Sequence, residues 1–188
     1  MEQYSKAPDT SPEALLHQLQ KSETSILSYT YAEPTISYEY LLDTSKLVRK
    51  AGYYTVLVSN GFLNPAPWHE LLPWINAMNI DIKGNEEIYD QECAAPGAYK
   101  RVLENVRRAY QSGVHVEITT LLIPRIHDKI INQLVNDIEG ISRDIVWHIS
   151  AYFPQYRSSA PPTSAQRVRE VAAMIRNRGF RYVYTGNI

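Results

Sequence analysis

Strand-like and helix-like segments alternate along this chain, and that alternation limits the fold more than any single motif. Residues 25–31, 53–59, 77–82, 114–123, 145–150 and 181–184 read as short strands, apolar or rich in β-branched and aromatic side chains. Between them, residues 35–51, 98–112, 130–138 and 164–178 repeat apolar positions at helical spacing, with shorter helices at 67–74 and 87–92. Helix punctuation agrees. Ser11-Pro12-Glu13 opens a first helix, Asp128 is the expected cap of 130–138, and Gly52, Gly113 and Gly179 stand just past helix ends. Such alternation implies a parallel sheet with right-handed crossovers. An open doubly wound sheet and part of a (β/α) barrel both satisfy it. Residues 1–10 read as a lead-in and 11–188 as a single domain, with no linker, repeat or low-complexity tract between.

Composition narrows the function. A net charge of -1 gives no bulk attraction to nucleic acid or an anionic membrane, and the 14 tyrosines have no basic groove to stack bases in. No apolar run reaches the roughly 20 residues of a membrane span, and the first ten residues lack a signal-peptide apolar core. The single cysteine, Cys93, rules out an internal disulfide and fits a reducing cytoplasm. No Gly-rich phosphate loop, nucleophile elbow or zinc-type histidine spacing occurs.

Parallel α/β folds keep their chemistry at the C-terminal strand ends. Those ends here carry Glu33, then Ser59-Asn60-Gly61, then Asp81 and Lys83, then Thr119-Thr120, then His148, Ser150 and Tyr152, and last Thr185-Gly186-Asn187. Glu33 precedes Pro34 on a strand-to-helix turn, where it either caps a helix or serves a site. Asp81 and Lys83 alternate on one strand face, so they form a structural ion pair or a zwitterion-binding pair. Asn60-Gly61 suits a plain turn or a close approach to a ligand. His148 is either a satisfied core histidine or a proton donor. His115, Glu117 and Thr119 share a face of the fourth strand, and a carboxylate there needs a partner or a wet interior. That requirement favours the partial barrel. Lys83 is also a Schiff-base candidate if the chain is an aldolase-like barrel fragment.

Taken together, these stretches resemble radical S-adenosylmethionine (SAM) enzymes of the pyruvate formate-lyase activating-enzyme type, in the branch called AmmeMemoRadiSam-system proteins. The resemblance is carried by Ser28-Tyr29-Thr30-Tyr31-Ala32-Glu33-Pro34-Thr35-Ile36, Val58-Ser59-Asn60-Gly61-Phe62 and Met78-Asn79-Ile80-Asp81-Ile82-Lys83. It continues through Gly113 to Pro124, Trp147-His148-Ile149-Ser150 and Tyr182 to Asn187, in family order over almost the whole chain. It implies an α/β fold, a partial (β/α)₆ barrel with SAM across the strand ends. By that resemblance Glu33 stands at the family's Gly-Gly-Glu position, which holds the methionine amino group, with Tyr31-Ala32 in place of the glycines. Asn60 matches a cofactor-lining position, and Asp81 and Lys83 match the pair that contacts the methionine and ribose part. Thr119 lies on the strand that backs the adenine, and His148, Ser150 and Tyr152 fall where cofactor or substrate is lined.

The family also holds a four-iron four-sulfur cluster on a C-x-x-x-C-x-x-C motif, from which an electron cleaves SAM to a 5′-deoxyadenosyl radical. Cys93 is alone and far along the sequence from that motif's place, so this chain cannot ligate the cluster. The resemblance therefore implies a barrel truncated at its N-terminus, lacking the first strand and cluster loop: an engineered fragment, a gene with a misplaced start or a natural remnant. Joined to the missing segment it acts on a protein glycine or a small molecule. Alone it is inactive, or a non-catalytic remnant that binds an adenosyl ligand or a protein partner. A barrel lacking a strand leaves a sheet edge around 25–31, from which a dimer is expected.

Overall fold

The computed structural model describes residues 10–156, 158 and 160–188. The lead-in expected over residues 1–10 lies, apart from Thr10, outside them. Among the described residues six strands form one parallel sheet: β1 (Ile26–Tyr29), β2 (Tyr54–Ser59), β3 (Ala77–Asp81), β4 (His115–Leu122), β5 (Val146–Ala151) and β6 (Val183–Gly186). Their spatial order is their chain order, with β1 and β6 at the two edges. A doubly wound sheet reverses order at its centre, whereas a barrel wall does not. The fold is therefore an open partial (β/α) barrel, and the alternative left by the sequence is resolved.

Among the described residues seven helices connect or precede the strands: α1 (Pro12–Lys21), α2 (Tyr38–Lys50), α3 (Pro65–Leu71), α4 (Glu86–Gln91), α5 (Ala98–Gln111), α6 (His127–Glu139) and α7 (Ala165–Asn177). Short 3₁₀ turns cover Pro34–Ser37 and Leu72–Trp74. The helix starts follow local chemistry. Ser11 accepts from the Ala14 N–H at 3.2 Å with Pro12 next in line, and Ser164 accepts from the Arg167 N–H at 3.1 Å.

Strand alternation gives the sheet two unlike faces. Leu57, Met78, Ile80, Ile118, Trp147 and Ile149 are all fully buried on the helix side. Trp147 also donates its indole N–H to Thr120 at 3.0 Å and meets Phe180 edge-on. On the other face Asn79, Asp81, Glu117, Thr119, His148 and Ser150 are all half-buried. One dry face holds the fold together, and the polar face is the inner wall.

Two expectations need correction. Helix α6 starts at His127 rather than residue 130, with Ile126 as its cap. Asp128 lies inside the first turn and accepts from the Arg125 N–H at 2.9 Å, closing a turn in which Arg125 has φ 68. The last strand starts at Val183 rather than residue 181: the Arg181 N–H donates to the Arg143 carbonyl at 3.2 Å, outside the β5–β6 ladder, and the Arg181 side chain turns outward to Asp144.

Candidate functional site

Glu33 sits where β1 leaves the sheet, and its carboxylate ties that exit to the neighbouring one. Oε1 accepts from the Thr35 N–H (3.2 Å), the Thr35 hydroxyl (2.7 Å) and the Ser59 hydroxyl (2.8 Å). Oε2 accepts from the Asn60 N–H at 2.8 Å. Capping and site-building are thus the same arrangement. Glu33 caps the Pro34–Ser37 turn and at the same time pins the end of β2. Thr35 and Ser59 hold this carboxylate directly.

Tyr31 has φ 74, in the left-handed region that favours glycine, and its side chain is fully exposed. Tyr31 thus holds, without being glycine, a backbone conformation that glycine adopts freely. Gly61 at φ 70 needs to be glycine for a second reason. A Cβ there would lie 2.8 Å from Ile80 Cγ2, so β2 turns tightly over β3. The Asn60 side chain accepts from the Phe62 N–H at 2.8 Å, and buried Asn105 donates to the carbonyls of Gly61 and Leu63, both at 2.9 Å. The Asn60-Gly61 turn is therefore rigid.

Lys83 Nζ pairs with Asp81 Oδ2 at 2.7 Å, with both side chains more than a third exposed. A half-exposed pair contributes little to stability. It also differs from the desolvated setting that activates a Schiff-base lysine.

Glu33, Asn60, Asp81 and Lys83 converge on one open cavity of about 360 Å³, lined also by Thr30, Tyr31, Ala32, Val58 and Ser59. Thr119 and His148 do not line it. They extend the same row along the inner wall, Asp81 facing Thr119 and Thr119 facing His148 in the register. The Thr119 hydroxyl donates to Asn79 Oδ1 at 2.9 Å. His148 Nε2 lies 2.7 Å from Glu117 Oε2, His115 Nε2 lies 3.1 Å from Glu117 Oε1, and the His148 ring stacks on Tyr184. The strand carboxylate thus has two imidazole partners. Burial pushes the Glu117 carboxyl up, but hydrogen bonds from His115 and His148 outweigh it and leave it below its ordinary value. Ser150 stays half-buried on this wall, whereas Tyr152 is nearly buried and lines a separate cavity of about 560 Å³ with Leu121, Phe153 and Asn187.

Comparison with known proteins decides the family. The profile described as Radical SAM superfamily matches residues 2–138. The chain belongs to the radical SAM superfamily. A curated relative, an uncharacterized protein of Methanocaldococcus jannaschii, is 37% identical over 168 residues, 86% of this chain and 49% of the relative. This radical SAM chain thus spans about half the length of the relative it matches. Solved structures share its fold. A domain of pyruvate-formate lyase-activating enzyme from Bacteroides vulgatus superposes with a TM-score of 0.71 at 17% identity, over 86% of this chain and 98% of that one. A radical SAM methyltransferase from Sphaerobacter thermophilus gives 0.67 at 12% identity, over 94% and 57%. Streptococcus suis SuiB bound to its precursor peptide SuiA gives 0.70 at 12% identity, over 97% and 43%.

Membership implies SAM and an iron–sulfur cluster, and the residues here treat the two differently. The cavity's donor set of two carboxylates, an ammonium and an amide suits a zwitterionic amino acid joined to ribose hydroxyls. The cluster does not fit. The chain has one cysteine, Cys93, exposed in the loop after α4, and among the described residues no three His, Cys, Asp or Glu side chains form a metal-binding group. No electron-transfer step is assigned to these 188 residues. Among the described residues no helix is long and apolar enough to cross a membrane.

Proposed function

We propose that this chain is the SAM-binding wall of a radical SAM enzyme of the activating-enzyme type. The observation that carries the proposal is the convergence of Glu33, Asn60, Asp81 and Lys83 on one cavity at the C-terminal rim. Glu33 Oε2 has one donor within the described chain against three on Oε1, so it keeps accepting capacity for the methionine ammonium. Lys83 takes the methionine carboxylate and Asp81 accepts from the ribose hydroxyls, exchanging part of their mutual pairing for the ligand. Asn60 closes the cavity beside them, Thr119 backs the adenine and His148 faces the substrate side. When bound, SAM supplies an adenosyl group; these residues bind and orient it.

The whole protein then acts on a protein carrying a target glycine, or on a small molecule. A peptide-bound neighbour of the same fold, SuiB with SuiA, supports the peptide class. The single cysteine favours a second reading, in which an adenosyl ligand is held without turnover. The first reading is tested by titrating SAM into ¹⁵N-labelled protein. Amide shifts concentrated at residues 30–33, 59–61 and 81–83 are expected. Shifts confined to the helical surface, or none, overturn it.

A further inference from the structure

Among the buried ionisable side chains, His127 has a place that the reading above does not use. It is fully buried at the start of α6, below the rim rather than on it. Both ring nitrogens are spent on main chain. The Ile123 N–H lies 3.1 Å from Nδ1, and the Lys83 carbonyl lies 3.1 Å from Nε2. An amide N–H can only donate and a carbonyl can only accept, so Nδ1 is bare and Nε2 carries the hydrogen. Burial lowers the His127 pKa, which suits this neutral form.

The same residue, Lys83, is gripped from its other side. Its N–H donates to the Tyr89 hydroxyl at 3.3 Å, and that hydroxyl donates to the Asp81 carbonyl at 3.2 Å. Gly84 follows, where a Cβ would lie 2.6 Å from Ile88 Cβ, so α4 presses directly on the backbone. Lys83 has thus left the β3–β4 ladder, yet its main chain is fixed by α4 on one side and by α6 on the other. A residue past a strand end, with a half-exposed side chain, does not need such a clamp for core packing.

We infer that His127 is a positioning residue for the adenosyl site: it fixes the Lys83 carbonyl, and so the place from which Lys83 and Asp81 meet the ligand. This inference rests on the SAM-binding reading of the cavity and adds to it a residue that makes no contact with the ligand. Through these two bonds the His127 side chain joins the exit of β3 to the exit of β4.

Two conservative variants separate positioning from mere packing. In His127→Gln the amide nitrogen reaches the Nε2 position and still donates to Lys83, while the Ile123 N–H loses its acceptor. In His127→Asn the amide oxygen reaches the Nδ1 position and still accepts from Ile123, while Lys83 loses its donor. SAM affinity by titration calorimetry should stay within about threefold of wild type in H127Q and fall about tenfold in H127N, the scale of one hydrogen bond. Amide hydrogen exchange without ligand should rise over residues 81–85 in H127N and at Ile123 in H127Q. Equal affinity in the two variants, or unchanged exchange over 81–85 in H127N, overturns the inference. Absence of SAM binding to the wild type overturns the reading of the cavity instead, and exchange then decides on His127 alone.

Discussion

The main-chain N–H of Asn60 donates to Oε2 of Glu33 at 2.8 Å, joining the exits of β1 and β2 across 27 residues of sequence. With the Ser59 hydroxyl on Oε1, this makes the carboxylate a clip before any ligand arrives. In Glu33→Gln one acceptor oxygen becomes an N–H₂ group, which must face either the Asn60 N–H or the hydroxyls of Ser59 and Thr35. The variant should lose about 1–2 kcal/mol in urea denaturation, the scale of a mismatched, partly buried hydrogen-bond donor. An unchanged midpoint would show that the clip contributes nothing to the fold.

Tyr31 contributes strain without packing. Its φ of 74 is unfavourable for an L residue, and its side chain touches solvent on all sides. Tyr31→Gly should therefore stabilise the protein by about 1 kcal/mol, the left-handed penalty less the extra chain entropy of glycine. A lower melting temperature in the glycine variant would mean that the tyrosine ring contributes more than its exposure indicates.

The sheet, its order of elements and its rim were legible because each strand announces itself by composition and each helix by its caps. Ser59 and Thr35 show where legibility ended. Their hydroxyls matter only because Glu33 lies beside them in space, and nothing in their spacing signals that. His127 was hidden in the same way. Read from periodicity alone, α6 begins at Ile130, so the histidine fell into a loop, whereas its contacts lie at Ile123 and Lys83. Of the two partners of Glu117, His115 shares its strand face two residues away, but the second, His148, depended on the β4–β5 register. Register is a property of two segments, and neither segment alone encodes it.

Glu117 gives stability a pH dependence of definite sign. Its folded-state pKa lies below the ordinary value of 4.5, because the hydrogen bonds from His115 and His148 outweigh burial. A depressed carboxylate stabilises the fold fully above the unfolded value, and that share is lost as pH falls through the folded value. Thermal melts of wild type and Glu117→Gln should thus converge as pH falls below about 4.5, the ordinary value, whereas protonation of the two imidazole partners between neutral pH and that value strengthens the pairing. A gap that widens below about 4.5 would contradict the assignment.

Among the described residues no strand pairs with the outer side of β1, and Ile26 at 47% exposure stands on that edge. We propose that two copies meet there. Sedimentation equilibrium should show concentration-dependent dimers for the wild type and monomers for Ile26→Lys, since a lysine on an edge opposes strand addition. A wild type that stays monomeric at every concentration removes the proposal.

We propose that the rim formed by Glu33, Asn60, Asp81 and Lys83 holds SAM without help from a cluster. Titration calorimetry of SAM into the wild type and into a Glu33→Gln/Asp81→Asn double variant, both confirmed folded by circular dichroism, tests this. Saturable one-to-one binding to the wild type, weakened about a hundredfold or more in the double variant at roughly a tenfold loss per charged contact, is the predicted result. No binding to the folded wild type, or equal binding to both proteins, would contradict it.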